Sequence, residues 1–327
     1  MTVVECRPPA EGPMLASARG ARLVAAASAS PPVPARPAIQ GKRRRPDKPF
    51  SDGNKKETRM IKLIATDLDG TLLDPKSRLD SERFWKVFDR IKAAGCHFVL
   101  ASGDQYYCMR NYFGPRGEEL SYVAENGAWV RAEGGRTLFC AAIPETLWKP
   151  VARALRDHRA YPQAALLVCG KKQAYLPANL PPDLAAILAH FYPSATVEEN
   201  LDVIDDEILK LCLLVPEEHT GQWFDGLRRR LPAGMTPTGG GNGCIDLIAT
   251  GLHKAAGIRL LLDEYGVRPE ECVAFGDSGN DLEMLTFVGE SYAVANARPE
   301  VLAAAKHRAP ANSEGGVLQV LEQLFPE

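Results

Sequence analysis

The chain has 327 residues, 45% hydrophobic and 24% charged, enough for a large core or a core with a smaller companion domain. A formal net charge of −2 points to no polyanionic partner, and no apolar run reaches the roughly 18 residues that a membrane-spanning helix needs. Composition therefore argues against a nucleic-acid binder and against a helical membrane protein.

The charge is uneven. Residues 1–59 hold twelve Lys/Arg against five Asp/Glu, and nine of the 25 prolines. They show no sustained apolar period and cannot offset the entropy of ordering, so a disordered basic tail is expected there. Lys42-Arg43-Arg44-Arg45 reads as a solvated run in that tail, with a targeting or nucleic-acid patch as the alternative. The Arg- and Ala-rich start also fits a transit peptide, and a third reading starts translation at Met60. No apolar segment stands beside a basic leader, which argues against a secretory signal. The eight cysteines form no C-x-x-C pair and no Cys/His cluster of zinc spacing. Several lie in apolar runs, such as Cys212 in LKLCLLV, and read as buried, reduced thiols of a cytoplasmic protein.

From Met60 the texture changes. Ile61–Thr66 reads as a buried strand, and residues 80–94 as an amphipathic helix with Phe84, Val87, Phe88 and Ile91 on one face, ended by Gly95. Strands follow at 97–101 and 121–124. This alternation predicts β-α-β units and a parallel sheet. Further on, candidate helices at 145–157, 181–192 and 219–230 alternate with strand-like runs at 164–169, 173–176 and 208–215. None of these ends in a catalytic-looking turn. Residues 245–248, a helix at 254–265 and a strand at 272–275 restore the first texture. The expected organisation is a tail (1–59), a core in two parts (60–142 and 244–327) and an inserted α+β domain (143–243). Hinges are expected near Pro144 and at Gly239–Gly243.

Four clusters carry chemistry, each where a strand meets a loop or helix, the place where open α/β sheets hold ligands. Asp67-Leu68-Asp69-Gly70-Thr71 follows directly on the first strand. Acids at i and i+2 project to one side of an extended chain. One can stay ionised as a nucleophile while the other, kept protonated, acts as general acid. The bland alternative is a polar turn. An EF-hand loop fails, because Thr71 and Leu72 stand where Asp/Asn and Gly belong. Ala101-Ser102-Gly103 ends the second strand, where a hydroxyl and backbone N–H groups suit a phosphate oxygen, although a plain Ser-Gly turn looks the same. Lys254 opens a helix, where a cation could bind phosphate and steady a carboxylate; a lone Lys is otherwise solvated surface. In Gly276-Asp277-Ser278-Gly279-Asn280-Asp281, two acids four apart can hold a hard cation, against the alternative of an N-capped helix start.

DLDGTLL, then Ser, then Lys, then GDSGNDLEML, in that order, resemble the haloacid dehalogenase superfamily over about residues 60–325. ENGA at 125–128 and NSEGGVL at 312–318 resemble its Cof-type phosphatase branch. ASGDQYY at 101–107 and IDLIATGLHKAAGI at 245–258 look closest to sugar phosphatases of the SupH/YbiV type. The resemblance implies an α/β fold: a Rossmannoid core with a parallel sheet, plus an inserted α+β cap of the C2 type. It implies Asp67 as the nucleophile on phosphorus and Asp69 as the acid/base. Leu68, Ser102, the Gly103 backbone, Lys254 and Asn280 would bind phosphate. Asp67, Asp69 (through its backbone C=O) and Asp277 would hold Mg²⁺, with Asp281 as a supporting acid. Many Cof-type members carry Arg after the Thr/Ser-Gly pair, whereas this chain has Asp104, which the resemblance leaves without a role.

The implied activity is Mg²⁺-dependent hydrolysis of small sugar phosphates through an aspartyl phosphate on Asp67. Mg²⁺ and Lys254 would cancel the repulsion between a phosphate dianion and a carboxylate nucleophile. The insert would be a mobile cap that excludes water and chooses the leaving group. The alternatives are a phosphotransferase such as a phosphohexomutase on the same core, and a non-catalytic binding protein. The second would be expected to lack Asp67, Asp69 or Asp277, and all three are present.

Overall fold

The structure is a computed structural model that describes residues 60–156, 164–178, 180, 182–241 and 243–327. The expected tail at 1–59 and the last residue of the helix expected at 145–157 lie outside the described residues. The chain first builds β1 (Leu63–Thr66), α1 (Ser81–Ala93), β2 (His97–Ala101), α2 (Tyr106–Asn111), β3 (Ser121–Ala124), β4 (Trp129–Arg131) and β5 (Thr137–Cys140). It continues through α3 (Glu145–Arg156), β6 (Ala165–Gly170), β7 (Ala174–Leu176), α4 (Pro182–Phe191), β8 (Ala195–Val197), β9 (Ile208–Leu214), α5 (Thr220–Arg230), β10 (Met235–Gly241) and β11 (Cys244–Ala249). It closes with α6 (Lys254–Tyr265), β12 (Cys272–Gly276), α7 (Leu282–Phe287), β13 (Glu290–Val294), α8 (Pro299–Ala304), β14 (His307–Ala309) and α9 (Gly316–Leu324).

Two sheets result. The first runs β14-β13-β12-β1-β2-β3-β4-β5, parallel from β14 to β3 and antiparallel at the β4 and β5 edge. Every residue of β1, β3 and β12 is buried, as expected of strands covered on both faces. Helix α1 turns Phe84, Val87, Phe88 and Ile91 onto this sheet, and Asp80 caps its start by accepting the Arg83 N–H at 3.2 Å. Strand β1 lies between β12 and β2, so the chain leaves it toward opposite sides of the sheet. That reversal opens a crevice at the carboxyl ends of β1, β2 and β12.

The second sheet runs β10-β11-β9-β6-β7-β8 and is antiparallel except for β7 with β8. Here the expected boundary is corrected. Residues 244–249 were assigned to the second part of the core, but β11 pairs with β9 and β10 inside the second sheet. The insert therefore runs on to about residue 249, and the exit lies at Thr250–His253. The glycines expected to form the exit hinge belong to the β10–β11 hairpin. Gly243 has φ +77°, and a Cβ there would lie 2.1 Å from the Val215 carbonyl oxygen. A tight hairpin demands glycine for the same reason that a hinge tolerates it, so the sequence signal was ambiguous.

Candidate active site

Strand β1 delivers Asp67 past the sheet edge, where its N–H donates to the Phe275 carbonyl of β12 at 3.1 Å. The chain then turns tightly through Leu68–Leu72, closed by the Leu73 N–H on the Leu68 carbonyl at 2.9 Å. Gly70 has φ +75°, and a Cβ there would lie 2.6 Å from Asp277 Oδ2, so both conformation and space require glycine. Thr71 Oγ1 donates to Asp277 Oδ1 at 2.8 Å and joins the first cluster to the fourth.

Lys254, at the start of α6, is 1% exposed. Its Nζ lies 2.6 Å from both Asp67 Oδ1 and Asp281 Oδ1. Asp281 Oδ2 accepts the N–H groups of Asp277 (2.9 Å) and Ser278 (3.0 Å), so this carboxylate is fully engaged as a brace. Burial opposes the charge on Lys254, but Asp281 and Asp67 outweigh it and hold the amine protonated. Burial pushes Asp67 upward; Lys254 pulls it back, and the charges of Asp281 and Asp277 push it further up. Asp277 is raised by burial and then by Asp281.

Asp69 sits two residues beyond Asp67, with Ser77 Oγ donating to its Oδ1 at 3.1 Å. Burial, then the charge of Asp104, pushes Asp69 up to about 9. At neutral pH it is the protonated acid that protonation of a leaving group needs. A thermal consequence follows. In the unfolded chain Asp69 ionises near the usual carboxylate range, so the folded state loses stability as pH rises from there toward 9. Asp69→Asn is therefore expected to melt higher than wild type at pH 8 without metal, by about 3 °C or more. The two should converge near pH 4, where both states of the wild type carry the proton. Calorimetric melts at the two pH values check this, and equal melting temperatures at pH 8 would overturn it.

The Ser102–Gly103 loop is held by contacts that the sequence reading did not assign. Ser102 Oγ accepts the Asp104 N–H at 3.0 Å, and the Gly103 carbonyl accepts Lys210 Nζ at 2.5 Å. Lys210, on β9, also lies 3.2 Å from Asp246 Oδ2 and from Glu125 Oε2. Asn126 Nδ2 donates to Asp246 Oδ2 at 2.7 Å, and Asn280 Nδ2 donates to Asn126 Oδ1 at 3.1 Å. Glu125 and Asn126 adopt φ of 51° and 54°, uncommon for residues other than glycine. Their N–H groups are held at 3.0 Å by the carbonyls of Asp104 and Ser102. Burial pushes Glu125 up to about 7; Lys210 pulls it down and Asp246 pushes it up. These buried contacts tie Lys210 and Asp246 of the second sheet to the core loops at Gly103 and Glu125–Asn126. The available signal was a lone charge in each of two apolar strands, Lys210 in LKLCLLV and Asp246 in CIDLIA.

Carboxylate oxygens of Asp67, Asp277 and Asp281 lie within 4.8 Å of one another. Such an anionic, all-oxygen set fits a hard divalent cation. Because Asp281 is engaged by Lys254 and two N–H groups, the side chains free to hold the ion are those of Asp67 and Asp277. The expected residues Asp67, Asp69, Ser102, Gly103, Lys254, Asp277, Asn280 and Asp281 thus gather at the carboxyl ends of β1, β2 and β12, with Leu68 in the turn between the two acids.

A family model described as haloacid dehalogenase-like hydrolase matches residues 64–321. The chain belongs to the haloacid dehalogenase-like hydrolases. Within this family it is 37% identical to the Escherichia coli K12 protein named 5-amino-6-(5-phospho-D-ribitylamino)uracil phosphatase YbjI, over 81% of this chain and 96% of that one. It is 27% identical to the HMP-PP phosphatase of Cronobacter sakazakii, over 76% of this chain and 89% of that one. A solved Streptococcus mutans UA159 protein superposes with a TM-score of 0.77 at 32% identity, covering 82% of this chain and all of that one. The expected phosphatase class of this haloacid dehalogenase-like hydrolase agrees with the names of both curated relatives.

Proposed function

We propose that this hydrolase is a Mg²⁺-dependent phosphomonoesterase of small sugar and polyol phosphates, working through an aspartyl phosphate on Asp67. The observation that carries this reading is the pairing of Asp67 with buried Lys254 at 2.6 Å, two residues from an acid held neutral. Asp67 attacks phosphorus in line with the leaving oxygen. Lys254 offsets the charge that gathers as the nucleophile meets the phosphate. Ser102 Oγ, the Gly103 N–H and Asn280 orient the phosphoryl oxygens. Asp69 gives its proton to the departing alcohol, then takes one from the water that cleaves the acyl phosphate. When bound, Mg²⁺ would be held by Asp67, Asp277 and the Asp69 carbonyl and would supply Lewis-acid stabilisation of the phosphoryl oxygens.

Support for the substrate class comes from the E. coli relative, named for a compound whose phosphate sits on a ribityl chain. We assign residues 143–249 the role of a cap that excludes water and reads the far end of the leaving group. No helix among the described residues is long and apolar enough to cross a membrane. The test is phosphate release from a panel of hexose, pentose, polyol and nucleotide phosphates, with and without Mg²⁺. Free phosphate is expected, only with Mg²⁺, and fastest from the sugar or polyol esters. In Asp277→Ala the Mg²⁺ needed for half activation should rise at least about tenfold, since one of two anionic ligands is gone. Transfer of the phosphoryl group to a sugar without free phosphate, or an unchanged Mg²⁺ curve, would sink this assignment.

A further inference from the structure

Two thiols and a carboxylate gather on one face of the second sheet. Cys212 of β9 stands directly opposite Asp246 of β11, and Cys244 stands opposite Leu214, which places both sulfurs on the side that Asp246 faces. The two Sγ atoms are 3.3 Å apart, and Cys244 Sγ lies 3.7 Å from Asp246 Oδ1. Donor atoms of all three residues fall within 4.8 Å of one another. Asp246 is 1% exposed and divides its oxygens: Oδ2 accepts from Lys210 and Asn126, while Oδ1 turns to the thiols. Cys212 is equally buried, and half-buried Cys244 opens the group to solvent. A disulfide does not suit this placement. The two cysteines are diagonal in the ladder, and diagonal neighbours stand about 7–8 Å apart, beyond the Cα separation of about 4.4–6.8 Å usual for a disulfide. An ion between the sulfurs does suit it. Tetrahedral bonds of about 2.3 Å to sulfur and 2.1 Å to oxygen set S···S at about 3.8 Å and S···O at about 3.6 Å.

We propose that Cys212, Cys244 and Asp246 form a thiolate site for a divalent cation of the Zn²⁺ type, separate from the Asp67 and Asp277 pair. This goes beyond the phosphatase reading and does not depend on it. The ligands are the two Sγ atoms and Asp246 Oδ1, and water completes the tetrahedron. Binding expels the two thiol protons to solvent, since a coordinating thiol is deprotonated. The charges then balance: two thiolates and Asp246 stand against the ion and Lys210. Without an ion, the hydrogen bond from Cys212 and then burial push the Cys244 thiol up, which keeps it protonated and a poor target for oxidants. Sulfur also sorts the metals. Hard Mg²⁺ prefers the all-oxygen set, and a softer ion prefers the thiolates. The chain shows no zinc-type spacing because these donors meet across a ladder, with the two cysteines 32 residues apart. Asp246 carries Lys210 on its other oxygen, and Lys210 holds the Gly103 carbonyl, so one side chain joins the ion to the Ser102–Gly103 loop.

The experiment titrates Co²⁺, an optical stand-in for Zn²⁺, into the reduced full chain with Mg²⁺ in excess. Wild type should develop a thiolate-to-metal absorption in the near ultraviolet that saturates at one Co²⁺ per chain. Added Zn²⁺ should bleach it, since it takes the same donors without colour. An all-oxygen site gives no such band, so Co²⁺ beside Asp67 and Asp277 is not mistaken for this one. Cys212→Ser and Cys244→Ser should each lose the band and weaken Zn²⁺ binding at least about 100-fold, more than loss of an outer-shell partner costs. A wild type without a thiolate band overturns the site, and that measurement stands even if a variant fails to fold. So does a band of unchanged intensity in folded Cys212→Ser and Cys244→Ser, which would put the ion on other thiols. Phosphate release plays no part in either readout, so failure here leaves the phosphatase reading untouched.

Discussion

Asp67→Asn is expected to lower turnover of any phosphate ester by at least about 10⁴-fold while leaving the protein folded, the scale seen when a nucleophile is removed. An amide oxygen keeps the shape of the carboxylate and can still accept from Lys254, so the local packing survives. It cannot attack phosphorus at a useful rate, and it cannot carry the group that water later removes. The fold should not suffer. Burial and the nearby Asp277 and Asp281 charges already disfavour an ionised Asp67, so the neutral variant sheds one of three crowded carboxylates. Unfolding temperature should stay equal or rise, as active-site charges are commonly held at the expense of stability. Steady-state phosphate release and a calorimetric melt are the two measurements. A folded variant with turnover within about tenfold of wild type would end the aspartyl-phosphate mechanism.

Lys254→Met is expected to damage both stability and turnover. The methionine fills the space but leaves Asp67 and Asp281 without their shared cation. Removing one partner from a buried, paired charge costs about 3–5 kcal/mol. For a folded unit of this size that corresponds to a melting temperature lower by roughly 10 °C. Turnover should also fall by about 10²–10³-fold, the usual loss when a preorganised charge aimed at the transition state is removed. Asp281 braces the N–H groups of Asp277 and Ser278, so its displacement would carry over to the expected metal side of the site. A double variant, Lys254→Met with Asp281→Asn, should recover part of the lost stability and none of the turnover. Melting within 2 °C or so of wild type for Lys254→Met alone would show that the pair is not the strut described here.

The clusters expected to carry chemistry were legible because each belongs to a short local pattern. An apolar strand followed at once by DLDGT, ASG or GDSGND needs no knowledge of the rest of the chain. The same locality explains why β1, β2, β3 and α6 fall where the apolar runs and capping residues put them. Strand β11 shows the limit. CIDLIA reads as a buried strand in any sheet, and its partners β9 and β10 are selected by register with segments elsewhere in the insert. Its apolar texture matched the core, so the boundary was drawn several residues early.

Two further decisions belong to tertiary structure. Lys210 is separated from Gly103 by 107 residues, and a lysine inside an apolar run is equally compatible with an exposed edge strand. It becomes a brace for the Ser102–Gly103 loop only because the second sheet docks where the Gly103 carbonyl and Glu125 meet the amine that Asp246 also faces. Asp104, likewise, is by sequence an acid where an arginine was expected. The fold sets its charge close enough to Asp69 to push that carboxyl upward. By itself the sequence determined the family, the parallel core and the presence of an insert, because strand ends and local motifs encode them. The bracing of the site, the true end of the insert and the place of Asp104 required the fold, because hydrogen bonds between distant residues leave no periodicity in the chain.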